Sequence, residues 1–135
     1  MSQAALLTPV FVLVLWTFII FLIMACGRVK HIKDLQEFDV QKKTSIGLLP
    51  AWVERTADNY NHLFEQPVAF YAMTICIALI NDFNPLMVQL AWAFVGIRII
   101  HSMVQLTFNL IFLRFGLFAA GWLIIAYMAY SQLLA

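Results

Sequence analysis

A run of polar and ionisable side chains interrupts an apolar stretch in the second half of this chain. Its members are Arg98, His101, Ser102, Gln105 and Asn109. At roughly 100° per helical residue they occupy one stripe roughly 100° wide. An Arg at the centre of a bilayer costs roughly 2.5–3.5 kcal/mol, so the stripe must face other polar groups or a water-filled space. Guanidinium, imidazole, hydroxyl and amide groups together could bind an anion and transfer protons.

A second polar stripe precedes the first along the chain. Its members are Arg55, Asp58, Asn59, His62, Glu65 and Gln66. If the two segments form an antiparallel helical hairpin, a rise of ~1.5 Å per residue places Glu65 and Arg98 at a similar depth. We therefore expect these two residues to form an ion pair. The shallower groups would then face one another as His62 with His101 and Ser102, Asp58 and Asn59 with Gln105, and Arg55 with Asn109.

The composition is that of an integral membrane protein. The 135 residues are 64% hydrophobic and 11% charged, whereas soluble domains carry roughly 25% charged residues. The sequence predicts an all-α bundle that forms a single transmembrane domain over residues 1–135. A formal net charge of +1 indicates no nucleic-acid partner. The four predicted membrane helices cover residues 6–26, 51–79, 85–112 and 115–133.

The connections between these helices predict the orientation in the membrane. Residues 28–43 are rich in Lys and Arg, and such loops remain in the cytoplasm. Residues 81–85 carry no basic side chain, so we expect that turn and both termini to face outward. The polar stripes would then open toward the cytoplasm. Arg114 marks a very short cytoplasmic connection, where it either extends to the interface or holds a carboxylate or thiolate.

Individual residues also predict how the helices pack. Pro67 lies inside the second helix, where it should kink the helix and free the carbonyl of Leu63. The fourth helix has a small face that includes Gly121 and suits close packing against a neighbour. Cys26 and Cys76 show no metal or disulfide spacing, and we expect both to be small packing residues.

The two stripes admit three interpretations. The first is structural, because polar ladders between membrane helices hold bundles together at roughly 0.6–2 kcal/mol per hydrogen bond. The second is a half-buried pocket, open to the cytoplasm, for a polar anionic ligand. The third is a small transporter or proton relay that uses Glu65, Arg98, His62 and His101, although this chain lacks the internal repeats of many transporters. A metal site at the two histidines is not expected, because no further ligand pair supports it.

Several motifs in the two stripes resemble those of one family. They are Glu54-Arg55, Glu65 followed by Pro67, Arg98-x-x-His101-Ser102, and Arg114. Together with the four-helix topology, they resemble the MAPEG family, the membrane-associated proteins in eicosanoid and glutathione metabolism. Residues 59–67 are similar to the bacterial branch of that family. This similarity implies a multi-pass protein of the bacterial inner (plasma) membrane.

The resemblance implies a homotrimer of left-handed four-helix bundles in contact with membrane lipid. It implies glutathione as a co-substrate, bound between neighbouring subunits near the cytoplasmic side. The expected activity is that of a transferase or peroxidase acting on lipophilic electrophiles or lipid hydroperoxides. Arg114 would hold the thiolate, with Ser102 or His101 assisting. From the stripes and the resemblance together, the other expected glutathione-binding residues are Arg55, Asn59, His62, Glu65, Arg98, Gln105 and Asn109, with Arg28 and Lys30 as further candidates.

The chain departs from the pattern of the enzyme members at several positions. Those members carry Arg, Asn and Tyr where this chain has Asp58, His62 and Gln105. After the Arg of the fourth helix they carry a Ser or Tyr, whereas this chain has Phe115 and Phe118. An acidic side chain would repel a ligand carboxylate, and the missing hydroxyl leaves thiolate stabilisation mainly to the Arg. These departures favour an alternative, a non-catalytic member that binds lipid or another anionic amphiphile.

Overall fold

The computed structural model describes residues 2–31, 50–80 and 84–135. Most of the basic loop predicted at residues 28–43, and the centre of the turn predicted at residues 81–85, lie outside the described residues. The predicted orientation in the membrane therefore remains an expectation. In the described residues the chain forms five helices: α1 (Gln3–Lys30), α2 (Ala51–His62), α3 (Gln66–Leu79), α4 (Pro85–Leu106) and α5 (Ile111–Leu134).

The helices follow the apolar runs of the sequence. Within the described residues, four helical spans are long and apolar enough to cross a membrane, and α2 and α3 together make up one of them. Two helices begin at side-chain caps, because the Ser2 hydroxyl accepts from the N–H of Ala5 and the Asn84 side chain accepts from the N–H of Leu86. The prediction of an all-α bundle with four membrane spans is confirmed.

The second span is interrupted rather than kinked. The sequence predicts a continuous helix over residues 51–79, but a short segment between α2 and α3 leaves the helical path. Pro67 lies in the first turn of α3, where its missing N–H is not needed. Glu65, just before α3, has φ −92° and ψ −93°. At the break, Arg98 of α4 donates to the carbonyl of His62. The carbonyl of Leu63 receives no N–H from Pro67, as predicted.

The third span also ends earlier than the sequence predicts. A helix was expected over residues 85–112, but α4 ends at Leu106. Asn109 adopts φ 50°, a left-handed conformation that Asn tolerates better than most residues. Its N–H donates to the carbonyl of Val104 at 2.7 Å and closes the end of α4. Asn109 therefore lies outside the helical stripe, and Arg114 belongs to the first turn of α5 rather than to a connection.

The core of the bundle lies between α1, α3, α4 and α5. Phe70 and Phe94 are fully buried, and their rings stack with centroids 4.3 Å apart. Because lipid is as apolar as these side chains, van der Waals packing stabilises this core more than removal from water does. Cys26 and Cys76, predicted as packing residues, are instead exposed on the outside of the chain. The fully buried side chains that α1 contributes are Leu6, Leu13 and Ile20.

Gly121 lies where α5 approaches Gln66. A Cβ at this position would lie 2.6 Å from Oε1 of Gln66, and Gln66 cannot shift without losing hydrogen bonds to α4 and α5. We expect Gly121→Ala to lower the free energy of unfolding by roughly 1–3 kcal/mol. Gly116→Ala is the matched control, because no atom lies within 4 Å of its added Cβ. Denaturation by SDS in mixed micelles would measure the free energy of unfolding of both variants. Equal values for the two variants would contradict the prediction.

Candidate functional site

A cavity of about 420 Å³ opens between the end of α2, the inner part of α4 and the first turns of α5. This volume falls within the range of small-molecule sites, roughly 300–1,000 Å³. One wall carries charged and imidazole groups, and the other is apolar. The residues that line it are His62, Glu65, Arg98, His101, Ile111, Arg114, Phe115 and Phe118.

Arg98 anchors the polar wall of the cavity. Its side chain is only 1% exposed. Its two terminal nitrogens donate to the carbonyl of His62 at 3.2 Å and to Oε1 of Gln66 at 3.3 Å. The predicted ion pair with Glu65 is wrong, because Glu65 lies in the break between α2 and α3 and pairs with His62 instead. At the break, the backbone carbonyl of His62 and the side-chain amide of Gln66 lie close to Arg98. Arg98 makes charge-assisted hydrogen bonds to both.

His62 and Glu65 form an ion-pair geometry at the mouth of the cavity. Nδ1 of His62 lies 3.2 Å from Oε2 of Glu65, and their side chains are 36% and 57% exposed. His101 packs beside His62, with ring centroids 6.3 Å apart and an edge-on orientation, as the predicted alignment of the two stripes required. Among the described residues, no group of three or more His, Cys, Asp or Glu side chains is arranged to hold a metal ion.

Gln66 joins three helices and contacts Arg98, one of the residues that line the cavity. Its side chain is 1% exposed, and its Nε2 donates to the carbonyl of Phe118 at 2.8 Å. Its Oε1 accepts from Arg98, so α3, α4 and α5 meet at one amide. The sequence placed Gln66 in the polar stripe but assigned it no role. An amide side chain directly before a proline, where a helix must restart, is the signal that could have identified it.

Arg114 reaches the cavity from the first turn of α5. One of its terminal nitrogens donates to Oδ1 of Asn109 at 2.6 Å. The partner predicted for Asn109 was Arg55, but the early end of α4 turns Asn109 toward α5. Asn109 does not line the cavity itself, and it holds a residue that does.

Three nitrogen atoms of the cavity-lining residues are buried without a hydrogen-bond partner. They are Nε of Arg98, Nε of Arg114 and Nδ1 of His101, all within the described part of the chain. A buried polar atom left unpaired costs roughly 1–3 kcal/mol. Separately from these buried atoms, two guanidinium groups that line one cavity are suited to an anionic ligand.

The other predicted site residues lie away from the cavity. The Ser102 hydroxyl donates to Oδ1 of Asn59 at 2.9 Å, and both side chains are buried. This contact is one helical turn deeper than the predicted alignment, in which Asn59 faces Gln105. Gln105 is buried with its Oε1 unpaired, and Arg55 is partly buried with its Nε unpaired. In the single chain these four residues do not line the cavity.

The apolar wall of the cavity includes two side chains that the sequence identified only as departures from the family pattern. Phe115 and Phe118 line the cavity together with Ile111. Ile111 and Phe115 are 73% and 70% exposed, so this wall continues onto the outer surface of α5. None of the cavity-lining residues, all of them described, carries a hydroxyl group.

The motifs and the architecture agree with a comparison of the whole sequence. The sequence profile of the MAPEG family matches residues 6–134. No curated protein and no solved structure matches the chain in the corresponding comparisons. Because the profile match covers nearly the whole chain, and because the chain forms the helical membrane bundle that the family implies, this protein belongs to the MAPEG family.

Proposed function

We propose that this protein is a glutathione-dependent membrane transferase or peroxidase that acts on lipophilic electrophiles or lipid hydroperoxides. The proposal depends on one observation, that a single cavity has one charged wall and one apolar wall. Arg98 and Arg114 both contribute to one wall, which is cationic. Phe115 and Phe118 form the other. An anionic thiol and an apolar co-substrate would each find a matching surface there.

The chemistry follows from the charge of this cavity. A thiolate is the nucleophile in such reactions, and cations close to the sulfur favour the thiolate over the thiol. Arg114 is the cation best placed for this role, because Asn109 holds its guanidinium from the side. The apolar wall opens toward lipid through exposed Ile111 and Phe115, so a lipophilic substrate can reach the sulfur without crossing water.

A second candidate function has its own support. The Ser102 hydroxyl is committed to Asn59, and the cavity-lining residues, all described, offer no hydroxyl to the sulfur. A cavity with cations at one end and aromatic side chains at the other also fits a lipid or other anionic amphiphile held without turnover. Lipid that co-purifies with the protein, combined with no activity on a panel of electrophiles, would support this second function.

The assembly and the membrane are part of the same proposal. We propose a homotrimer in a bacterial plasma membrane, with the termini outside and the cavity toward the cytoplasm. Arg55 and Gln105 carry buried polar atoms without partners in the single chain. Neighbouring subunits would supply partners for such groups, so glutathione would contact more residues in the trimer than the cavity of one chain offers.

Titration of the detergent-solubilised protein with glutathione tests this function. We expect binding at millimolar or lower concentration, together with ultraviolet absorbance of the bound thiolate. S-methylglutathione is the matched control, because it keeps the carboxylates but cannot form a thiolate. Native mass spectrometry of the same sample gives the number of subunits. If calorimetry detects no binding at millimolar glutathione, the proposed function is wrong.

A further inference from the structure

His62 is held in place from two sides. Its backbone carbonyl accepts a hydrogen bond from Arg98 at 3.2 Å. Its ring Nδ1 lies 3.2 Å from the carboxylate of Glu65. The backbone and the ring are therefore both restrained in a residue that lines the cavity. Position 62 is also one of the departures from the pattern of the enzyme members.

The carboxylate of Glu65 determines which ring nitrogen of His62 can accept a proton. A carboxylate is only an acceptor, so the Nδ1 of a neutral His62 must carry the hydrogen that it donates to Glu65. The second nitrogen, Nε2, is then the acceptor. A base whose ring is oriented by a third group is the arrangement that activates weak nucleophiles in many enzymes.

The charges around the ring are consistent with proton uptake from a thiol. The charged and titratable groups that line the cavity with His62 are Glu65, Arg98, His101 and Arg114. Asp58, one turn earlier on α2, is exposed. The carboxylate of Glu65 offsets the positive charge that the imidazole gains. The two guanidinium groups stabilise the negative charge that the sulfur gains, so the transfer creates no isolated charge.

We propose that His62 is the general base that deprotonates glutathione, with Glu65 as its positioning residue; this inference rests on the proposed function. Nε2 of His62 takes the thiol proton, and the sulfur keeps the electron pair of the S–H bond. With a carbon electrophile, that pair forms the carbon–sulfur bond. The leaving group departs with the electrons of its own bond, and the proton from His62 neutralises it.

The same two groups serve in the reduction of a hydroperoxide. The thiolate attacks the terminal oxygen, an S–O bond forms and the O–O bond breaks. The alkoxide that leaves takes the proton from Nε2 of His62, which returns to its neutral form. The products are an alcohol and the sulfenic acid of glutathione. A second glutathione then attacks that sulfur, giving glutathione disulfide and water, so the hydroperoxide is reduced and two thiols are oxidised.

The test compares His62→Gln with the control Asn61→Gln in the full-length protein. Asn61 is the exposed neighbour on α2 and does not line the cavity. With glutathione and cumene hydroperoxide at neutral pH, we expect His62→Gln to lower kcat by about 100-fold or more, while glutathione affinity changes only a few-fold. The deficit should narrow as pH rises, because glutathione then ionises without a base. The control should keep the wild-type rate and pH profile.

Two further variants separate proton transfer from folding. Free imidazole should restore part of the activity of His62→Ala, which a purely structural residue would not allow. Glu65→Gln changes an exposed position. We expect it to lower kcat roughly 10-fold or more, and free imidazole should not restore the rate. If His62→Gln keeps the wild-type rate and pH profile in an active protein, the inference alone is overturned. If the wild-type protein neither binds nor turns over glutathione, the proposed function falls and this inference falls with it.

Discussion

Replacing Arg98 with leucine is expected to lower the free energy of unfolding by about 2–4 kcal/mol. The folded chain loses two charge-assisted hydrogen bonds. The amide oxygen of Gln66 loses its donor, and the carbonyl of His62 keeps only the N–H of Glu65. Separation of the helices also exposes Arg98 to lipid, so the wild-type residue disfavours the dissociated state. Thermal inactivation in detergent, together with SDS titration, measures this loss.

Arg28→Leu is the matched control for this experiment. It removes the same guanidinium from an exposed position at the end of α1. We expect a change within roughly 0.5 kcal/mol for that variant. The stability of Arg98→Lys should lie between those of the two leucine variants, because an ammonium group can reach one acceptor but cannot span both. Equal stabilities of the two leucine variants would contradict the role assigned to Arg98 in bridging the helix break.

Replacing Arg114 with alanine should reduce the glutathione-dependent rate by about 100- to 1,000-fold at neutral pH. The guanidinium lines the cavity and keeps an unpaired Nε, so its loss removes the main charge that would stabilise the thiolate. The absorbance of bound thiolate should fall in parallel with the rate. Stopped-flow measurements of thiolate formation, followed by steady-state kinetics on the same preparation, would check both expectations.

Two variants show whether the position of this charge matters. Arg114→Lys keeps the charge but loses the planar donor group, so we expect a smaller loss of rate than with alanine. Asn109→Gly keeps the left-handed backbone, since Gly adopts positive φ freely, but it removes the amide that holds Arg114 at 2.6 Å. It should lower thiolate formation with little effect on stability. A full thiolate signal in Arg114→Ala would show that another group stabilises the sulfur.

The fold class could be predicted because hydropathy and loop chemistry are local properties of the sequence. Four apolar runs of sufficient length specify four spans, and the structure has them. The bounds of the elements were harder to predict. Pro67 indicated a disturbance, but whether a proline kinks a helix or ends it depends on partners for the released backbone groups. Here Arg98, which is distant in sequence, supplies one of them.

The end of α4 shows the same limit. Helical periodicity continued through Asn109, and the sequence offered no glycine or proline to stop it. The structure ends the helix at Leu106 because Asn109 adopts a left-handed conformation and returns its N–H to Val104. The tolerance of Asn for that conformation is a weak signal, and apolar residues on both sides conceal it.

The candidate site could be predicted in part. The positions of the two stripes placed His62, Glu65, Arg98 and His101 together, and all four line the cavity with Arg114. The pairing within this group could not be read from spacing, because it depends on the helix break. The apolar wall and the bridging amide of Gln66 were also outside the reach of the pattern. Their roles depend on the packing of α5 against α3, and no local sequence pattern specifies that packing.

The hydrogen bond between Gln66 and the carbonyl of Phe118 has a consequence for biogenesis, because it joins residues 52 positions apart. Synthesis reaches α5 only after α3 and α4, and membrane helices insert before they associate. Arg98 of α4 holds the Gln66 amide that α5 contacts, so packing of the earlier spans would prepare the surface for α5. The α5 helix would therefore join the three preceding spans after they have assembled, and a nascent chain truncated before α5 should already pack those spans together.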